Sequence, residues 1–136
     1  ASVIRRAWDL TGDGRIHQFG IRSGEKSEFA FAAQHTDLHR FTLESWWDTL
    51  KALHGKPVYL TLDLDVLDPA VLPGTGTPEP GGVSFTELLS AVLQLHKVQL
   101  VGCDIVELAP HYDQSGASTA VACKLTREIL LQMKGA

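Results

Sequence analysis

The sequence predicts an α/β fold with a parallel sheet, in one domain over residues 1–136. Two nearly continuous apolar runs, Val58–Leu64 and Leu100–Leu108, have the length and composition of parallel strands that are covered on both faces. Segments with apolar residues at helical spacing lie beside them, at Leu43–His54 and Ser118–Met133. Because strands and helices alternate without a dividing linker, an α/β architecture is expected.

The first part of the chain contains weaker signals. Ser2–Leu10 is interpreted as the end of a helix, and Ile16–Ile21 as a short strand. Glu25–Arg40 is polar with few periodic apolar residues, which favours a long surface loop or a weak helix. Thr42 is a plausible N-cap for the helix over Leu43–His54. The apolar face of that helix contains Leu43, Trp46, Trp47, Leu50 and Leu53.

The second part has clearer boundaries. Leu67–Gly82 is rich in proline and glycine, so it is expected to be an ordered loop without regular structure. Ser84 and Glu87 have the spacing of a capping box, which predicts a helix that begins there and runs through Leu95. The final helix, Ser118–Met133, follows the last strand.

Composition excludes several classes of protein. The 136 residues have a formal net charge of −4 and no basic run, which argues against a nucleic-acid surface. No apolar stretch reaches membrane-spanning length, and the start does not resemble a signal peptide. Cys103 and Cys123 are too few for a disulfide framework, and Cys103 is expected to be a small buried hydrophobe. The expected location is therefore the reducing cytoplasm.

Asp63 and Asp65 are the main candidates for chemistry. They end the apolar run Val58–Leu64, and at a spacing of two on an extended strand they would share one face. Neighbouring carboxylates repel each other and are costly to bury without a cation. Oxygen ligands suit hard divalent metals, so a metal site is expected here.

The residues around this pair carry a longer motif. Its fixed positions are Thr61, Leu62, Asp63, Leu64, Asp65, Pro69, Pro73, Gly74 and Gly82. This frame resembles the C-terminal metal motif of the ureohydrolase family, which includes arginase and agmatinase. The segment Gly102–Pro110 is similar to the family's last strand, which ends in a substrate-binding glutamate, here Glu107. Three further segments resemble the agmatinase branch, namely Phe19–Gly24, Tyr112–Ser115 and Thr119–Ala120.

The resemblance implies a three-layer αβα fold with a dinuclear Mn²⁺ site. Asp63 would bridge the two metals, Asp65 would bind one of them, and Glu107 would hold a guanidinium group. A metal-activated water would then hydrolyse agmatine to putrescine and urea. Arginine, guanidinobutyrate and formiminoglutamate stay open as substrates, and no residue of this chain is assigned as a proton-transfer catalyst. The expected partners are a small guanidino substrate and a homo-oligomer or a missing N-terminal half.

The family's Gly-Gly-Asp-His and Asp-Ala-His-x-Asp segments do not occur in this sequence. The chain is therefore expected to be the C-terminal half of a ureohydrolase, with only part of the metal ligands. The family's sheet order would also separate the strand near Ile16 from the two later strands. An alternative hypothesis is an inactive truncated piece that only folds or associates.

Other readings compete at single positions. Asp-x-Asp after an apolar run also opens haloacid-dehalogenase-like phosphotransferases, but Val66 and Leu67 stand where that motif has Gly and Thr. Glu107 could be a solvent-facing strand-end acid, and Asp104 a structural one. His111 is a weaker candidate for substrate contact. The pair His35 and His39 is expected at the surface, and a calcium loop at Asp9–Gly20 is rejected because Gly20 stands where a Glu is needed.

Overall fold

The structure is a computed structural model that describes residues 3–133. Ser2, the first residue of the segment expected to be the end of a helix, lies outside the described residues. Nine helices and strands follow one another in the described part: α1 (Val3–Thr11), β1 (His17–Ile21), α2 (Lys26–His35), β2 (Asp37–Arg40), α3 (Trp46–Ala52), β3 (Pro57–Asp63), α4 (Phe85–Leu93), β4 (Gln99–Val106) and α5 (Ala117–Met133). Within residues 3–133, none of the helices has the length and apolarity needed to cross a membrane.

The four strands form two separate parallel pairs. β1 pairs with β2, from His17 opposite Asp37 onward, and β3 pairs with β4, from Pro57 opposite Gln99 to Asp63 opposite Val106. The α/β prediction with parallel strands is confirmed. The separation of the strand near Ile16 from the two later strands also agrees with the expectation.

Helices α3, α4 and α5 cover one face of the β3–β4 sheet. Trp46 of α3 donates its indole N–H to the carbonyl oxygen of Ala91 in α4 at 3.0 Å. Ser84 and Glu87 form the expected capping box at the start of α4. The fully buried apolar side chains of this core are Leu50, Leu64, Leu67, Leu72, Leu95, Leu125 and Ile129.

The opposite face of the β3–β4 sheet is open, which corrects the expectation that these strands are covered on both faces. Tyr59 is 62% exposed and Val106 is 40% exposed. Cys103, expected to be buried, is only half-buried at the edge of the core. Strands of this composition need a second covering layer, and residues 3–133 supply one only.

Of the two alternatives for Glu25–Arg40, the helix is confirmed over most of its length, whereas the strand at its end was not predicted. The segment contains the ten-residue helix α2 and the strand β2. The Glu25 amide donates to the Glu28 carboxylate at 2.8 Å and caps the start of α2. The Arg40 guanidinium stacks on the ring of Phe29, 4.2 Å from its centroid. Pairing with β1 and these local contacts stabilise a segment whose apolar pattern is weak.

Several boundaries also differ from the prediction. α3 begins at Trp46, and Thr42 does not cap it but accepts a hydrogen bond from the Glu44 amide at 2.9 Å. β3 ends at Asp63 and gives way to a 3-10 turn over Leu64–Val66. β4 begins at Gln99 and ends at Val106, one residue before Glu107.

Candidate carboxylate site

Asp63 and Asp65 lie close together because the chain turns, not because they share a strand face. Asp63 is the last residue of β3, and Asp65 is the middle residue of the 3-10 turn. The Asp65 amide donates to the Asp63 carboxylate at 3.0 Å. The expectation that Asp63 and Asp65 share one face of a strand was therefore wrong. Both carboxylates instead belong to one short turn.

Glu107 joins this pair from the neighbouring strand. The last paired residues of the sheet are Asp63 and Val106. Glu107 follows β4 directly, so it lies at the same end of the sheet as Asp63, where both strands finish. In parallel sheets, binding sites form beyond the carboxyl ends of the strands. Glu107 has a φ of +67°, in the left-handed region that is costly for a residue other than glycine.

The proline- and glycine-rich loop over residues 67–82 is ordered, as predicted. Its organising residue is Asp68, whose carboxylate accepts hydrogen bonds from the amides of Ala70 at 2.9 Å and Gly81 at 2.8 Å. A Cβ at Gly82 would lie only 2.4 Å from the Asp68 nitrogen. The loop can therefore close on itself only because a glycine stands at this position.

The same loop connects the sheet edge to α5. The Ala109 amide, two residues after Glu107, donates to the Gly74 carbonyl at 2.8 Å. The Gly74 amide in turn donates to the hydroxyl of the fully buried Ser118 at 2.8 Å. The Asp113 carboxylate accepts from the Ser118 amide at 2.7 Å and caps α5.

Two loop residues reach the carboxylates directly. The Thr77 hydroxyl donates to the Asp65 carboxylate at 3.3 Å. Gly76 lies beside Glu107, since a Cβ there would be 3.8 Å from the Glu107 carboxylate. Sequence reasoning missed both residues because they fall among the unconstrained positions of the motif. Their location between Gly74 and Gly82 is the signal that could have pointed to them.

Burial and neighbouring charges both act on the Asp63 carboxylate. Loss of water around its carboxylate raises the pKa of Asp63 to about 6. The hydrogen bond from the Asp65 amide opposes this shift, whereas the negative charges of Asp65 and Glu107 raise the pKa further. The three carboxylates are thus close enough to influence one another, and a cation placed among them would relieve their repulsion.

The carboxylate oxygens at this site are the type of ligand that a hard divalent cation prefers, but there are too few of them for a complete site. Asp63 and Asp65 offer the oxygen ligands that Mg²⁺ and Mn²⁺ accept. Within residues 3–133, however, no group of three or more His, Cys, Asp or Glu side chains is arranged to hold a metal ion. A dinuclear centre would therefore need ligands from outside this part of the chain.

The remaining candidates make contacts other than with these three carboxylates. Asp104 accepts a hydrogen bond from the Thr61 hydroxyl at 2.6 Å, which is a structural contact within the sheet. His111 is exposed, and its ring lies against that of Tyr112 at 4.1 Å. His35 and His39 do not act as a pair, because His35 contacts Asp13 and His39 contacts Asp37.

Comparison with known proteins places these features in one family. Residues 1–132 match the Arginase family. The chain is 46% identical to an agmatinase of Bacillus anthracis over 135 residues, which are 96% of this chain and 47% of that protein. It is 33% identical over 126 residues to the mitochondrial guanidino acid hydrolase of Homo sapiens, covering 85% of this chain and 36% of that protein.

Comparison with solved structures indicates the same family. The agmatine ureohydrolase of Thermoplasma volcanium superimposes with a TM-score of 0.83 at 34% identity, covering 98% of this chain and 47% of that one. An arginase from Medicago truncatula gives a TM-score of 0.70 at 30% identity, over 88% and 39% of the two chains. This chain spans about half the length of the Bacillus agmatinases that it matches. Its sequence and its fold show that the chain belongs to the arginase family.

Proposed function

We propose that this chain carries part of the active site of a manganese-dependent ureohydrolase that converts agmatine and water to putrescine and urea. The observation that carries the proposal is the meeting of Asp63, Asp65 and Glu107 at one sheet edge, from the ends of two adjacent parallel strands. The similarity to agmatinases supports agmatine as the substrate. Family membership leaves no support for the phosphotransferase alternative.

Each residue has a separate role in this proposal. Asp63 would bridge two Mn²⁺ ions and Asp65 would bind one of them, with further ligands from outside residues 3–133. The metals, when bound, supply a water acidified enough to be hydroxide near neutral pH. Thr77 orients the Asp65 carboxylate through its hydroxyl. Glu107 would accept paired, charge-assisted hydrogen bonds from the planar guanidinium of the substrate.

The test measures urea release and metal content together. The chain is assayed alone and mixed with the part of the Bacillus anthracis agmatinase that it does not match, with agmatine or arginine as substrate and added Mn²⁺. We expect agmatine turnover only in the mixture, and loss of both bound metal and turnover in Asp63→Asn. Asp104→Asn is the matched control, because Asp104 is a carboxylate of the same sheet that contacts Thr61 instead of the site.

Two results would contradict the assignment. Equal or faster urea release from arginine would overturn the choice of substrate. Two manganese ions retained in the Asp63→Asn protein would overturn the bridging role.

The second candidate function is a catalytically inactive unit that only folds or associates. The open sheet face and the incomplete ligand set within residues 3–133 favour it. The same assay separates the two, since an inactive unit would fail to release urea in the mixture as well as alone.

A further inference from the structure

Arg22 is a buried cation that lies outside the carboxylate site but contacts the turn that carries it. The side chain follows β1 and is only 9% exposed. Its guanidinium donates from Nη1 to the Val66 carbonyl at 2.9 Å and from Nη2 to the Asp65 carbonyl. The ion pairs within residues 3–133 do not include Arg22. A charge buried against main-chain carbonyls is costly, so the contact needs a reason beyond packing.

The two carbonyls receive no hydrogen bond from within the short helical turn that carries them. The turn Leu64–Val66 closes with one hydrogen bond, from the Leu67 amide to the Leu64 carbonyl at 3.1 Å. The next two carbonyls, of Asp65 and Val66, have no partner within the turn and accept from donors elsewhere in the chain. The planar guanidinium presents two N–H groups at a fixed spacing, which suits two consecutive carbonyls better than a single ammonium does.

The backbone beside Arg22 fits the same turn. Gly20 has a φ of +70°, and a Cβ at this position would lie 2.4 Å from the Val66 side chain. The Val66 carbonyl also accepts from the Val83 amide at 3.0 Å. Val66 is therefore held from both sides, by the β1–β2 pair and by the end of the loop.

We propose that Arg22 is a positioning residue, which fixes the Asp65–Val66 turn so that the carboxylates of Asp63 and Asp65 project together. This inference deepens the proposed function and rests on it for the use of those carboxylates. This role also explains why the β1–β2 pair, which supplies no carboxylate to the site, packs against the Asp65–Val66 turn through Arg22 and Gly20.

The experiment compares two substitutions at Arg22 with two controls in the full chain. Arg22→Met keeps an unbranched apolar stem without donors, and Arg22→Lys keeps the charge with a different geometry. Arg40→Met removes the arginine that ends β2, whose guanidinium donates to the Arg22 carbonyl at 3.3 Å and not to the turn. Ile129→Ala truncates a fully buried side chain of α5 and lowers stability at a distance.

The first measurement is amide hydrogen exchange, which needs no metal. We expect exchange of the Asp65 and Leu67 amides to accelerate about tenfold or more in Arg22→Met and less in Arg22→Lys. Exchange in β4 should stay unchanged in both. Unchanged exchange at the turn, equal acceleration in Arg40→Met, or the same acceleration throughout the molecule would overturn the proposal.

The second measurement is Mn²⁺ affinity, by titration of the metal alone into each variant mixed with the complementary part of the Bacillus anthracis agmatinase. We expect Arg22→Met to bind Mn²⁺ about tenfold more weakly than Ile129→Ala does. Equal affinities in these two variants would overturn the positioning role. If the unsubstituted protein bound no Mn²⁺, the proposed function would fail, and the exchange data alone would decide the role of Arg22.

Discussion

The Glu107 carboxylate can bind a cationic group, but its backbone lies in the left-handed conformation that glycine usually adopts. Its φ of +67° places Cβ close to the neighbouring carbonyl, at a cost that natural sequences usually avoid by using glycine or asparagine. Strained residues persist where the surrounding structure holds them, and they cluster at functional sites. The hydrogen bond from Ala109 to Gly74 holds the chain just beyond this residue. Glu107 is exposed, as the solvent-facing alternative expected, and its strained backbone is the observation that favours a functional role.

The substitution Glu107→Gly should separate stability from function. We expect the free energy of unfolding to rise by up to about 1 kcal/mol, because glycine adopts this φ without steric cost. The same variant should lose affinity for a guanidino substrate. Chemical denaturation measures the first effect, and substrate titration the second.

Ser45→Gly is the matched control for this prediction. Ser45 has a φ of +65° and lies before α3, away from the carboxylates. It should gain similar stability with no effect on substrate. A lower stability of Glu107→Gly than of the unsubstituted chain would contradict the interpretation of strain.

At the scale of elements, the loop over residues 67–82 acts as a connector between the site and α5. A Cβ at Gly74 would lie 2.8 Å from the Ser118 side chain, whereas one at Gly76 would make only an ordinary contact at 3.8 Å. We expect Gly74→Ala to lower the free energy of unfolding by about 1–3 kcal/mol, as overpacking does. Gly76→Ala should change it by less than about 0.5 kcal/mol. Equal destabilisation in the two variants, measured by urea denaturation, would show that the contact with Ser118 is unimportant.

The cap of α5 should make the stability of the fold depend on acid. Hydrogen bonds from Ser115 and Ser118 hold the pKa of Asp113 far below its usual range. Because the folded pKa is the lower one, the stabilisation is fully present above the unfolded pKa of about 3.9 and is lost as the pH falls below it. We expect Asp113→Asn to be less stable near neutral pH and to show a shallower loss of stability below about pH 4.

Thermal unfolding between neutral and acidic pH measures this difference. Glu87→Gln tests whether any helix cap would act in the same way, since the pKa of Glu87 is also lowered by hydrogen bonds from Ser84. An Asp113→Asn protein with the unchanged pH profile of the parent would contradict the assignment of the cap.

At the scale of the whole molecule, one face of the β3–β4 sheet has no covering layer among the described residues. Tyr59 and Val106 are exposed there, and β3 and β4 pair only with each other. Exposed apolar faces and free strand edges promote association. We expect the chain by itself to form oligomers in solution, and Tyr59→Lys with Val106→Lys to shift it toward the monomer. The cytoplasmic location stays a prediction.

Sedimentation or light scattering measures the oligomeric state. Leu93→Lys is the control, because Leu93 is an exposed apolar residue on α4, outside the open face. A monomeric parent chain, or equal dissociation by Leu93→Lys, would show that the open sheet face does not drive association.

The sequence by itself determined the elements whose signals are local. The capping box at Ser84 and Glu87 located the start of α4, and apolar periodicity located α5 almost to the residue. The spacing of Asp63, Asp65, Pro69 and Gly82 identified the family and the edge of the sheet where the site lies. These properties depend on single continuous stretches of the chain, so a linear pattern can show them.

Tertiary structure decided what depends on distant residues. β2 is a strand because β1 pairs with it, and its own pattern is too polar to show this. Asp65 leaves the strand on a 3-10 turn, whose carbonyls are bonded by an arginine 43 and 44 residues earlier in the chain. The exposure of Tyr59 depends on which layers cover the sheet. Contacts across such separations leave no periodicity in the sequence, so only the folded chain shows that Arg22 belongs with the carboxylates of Asp63 and Asp65.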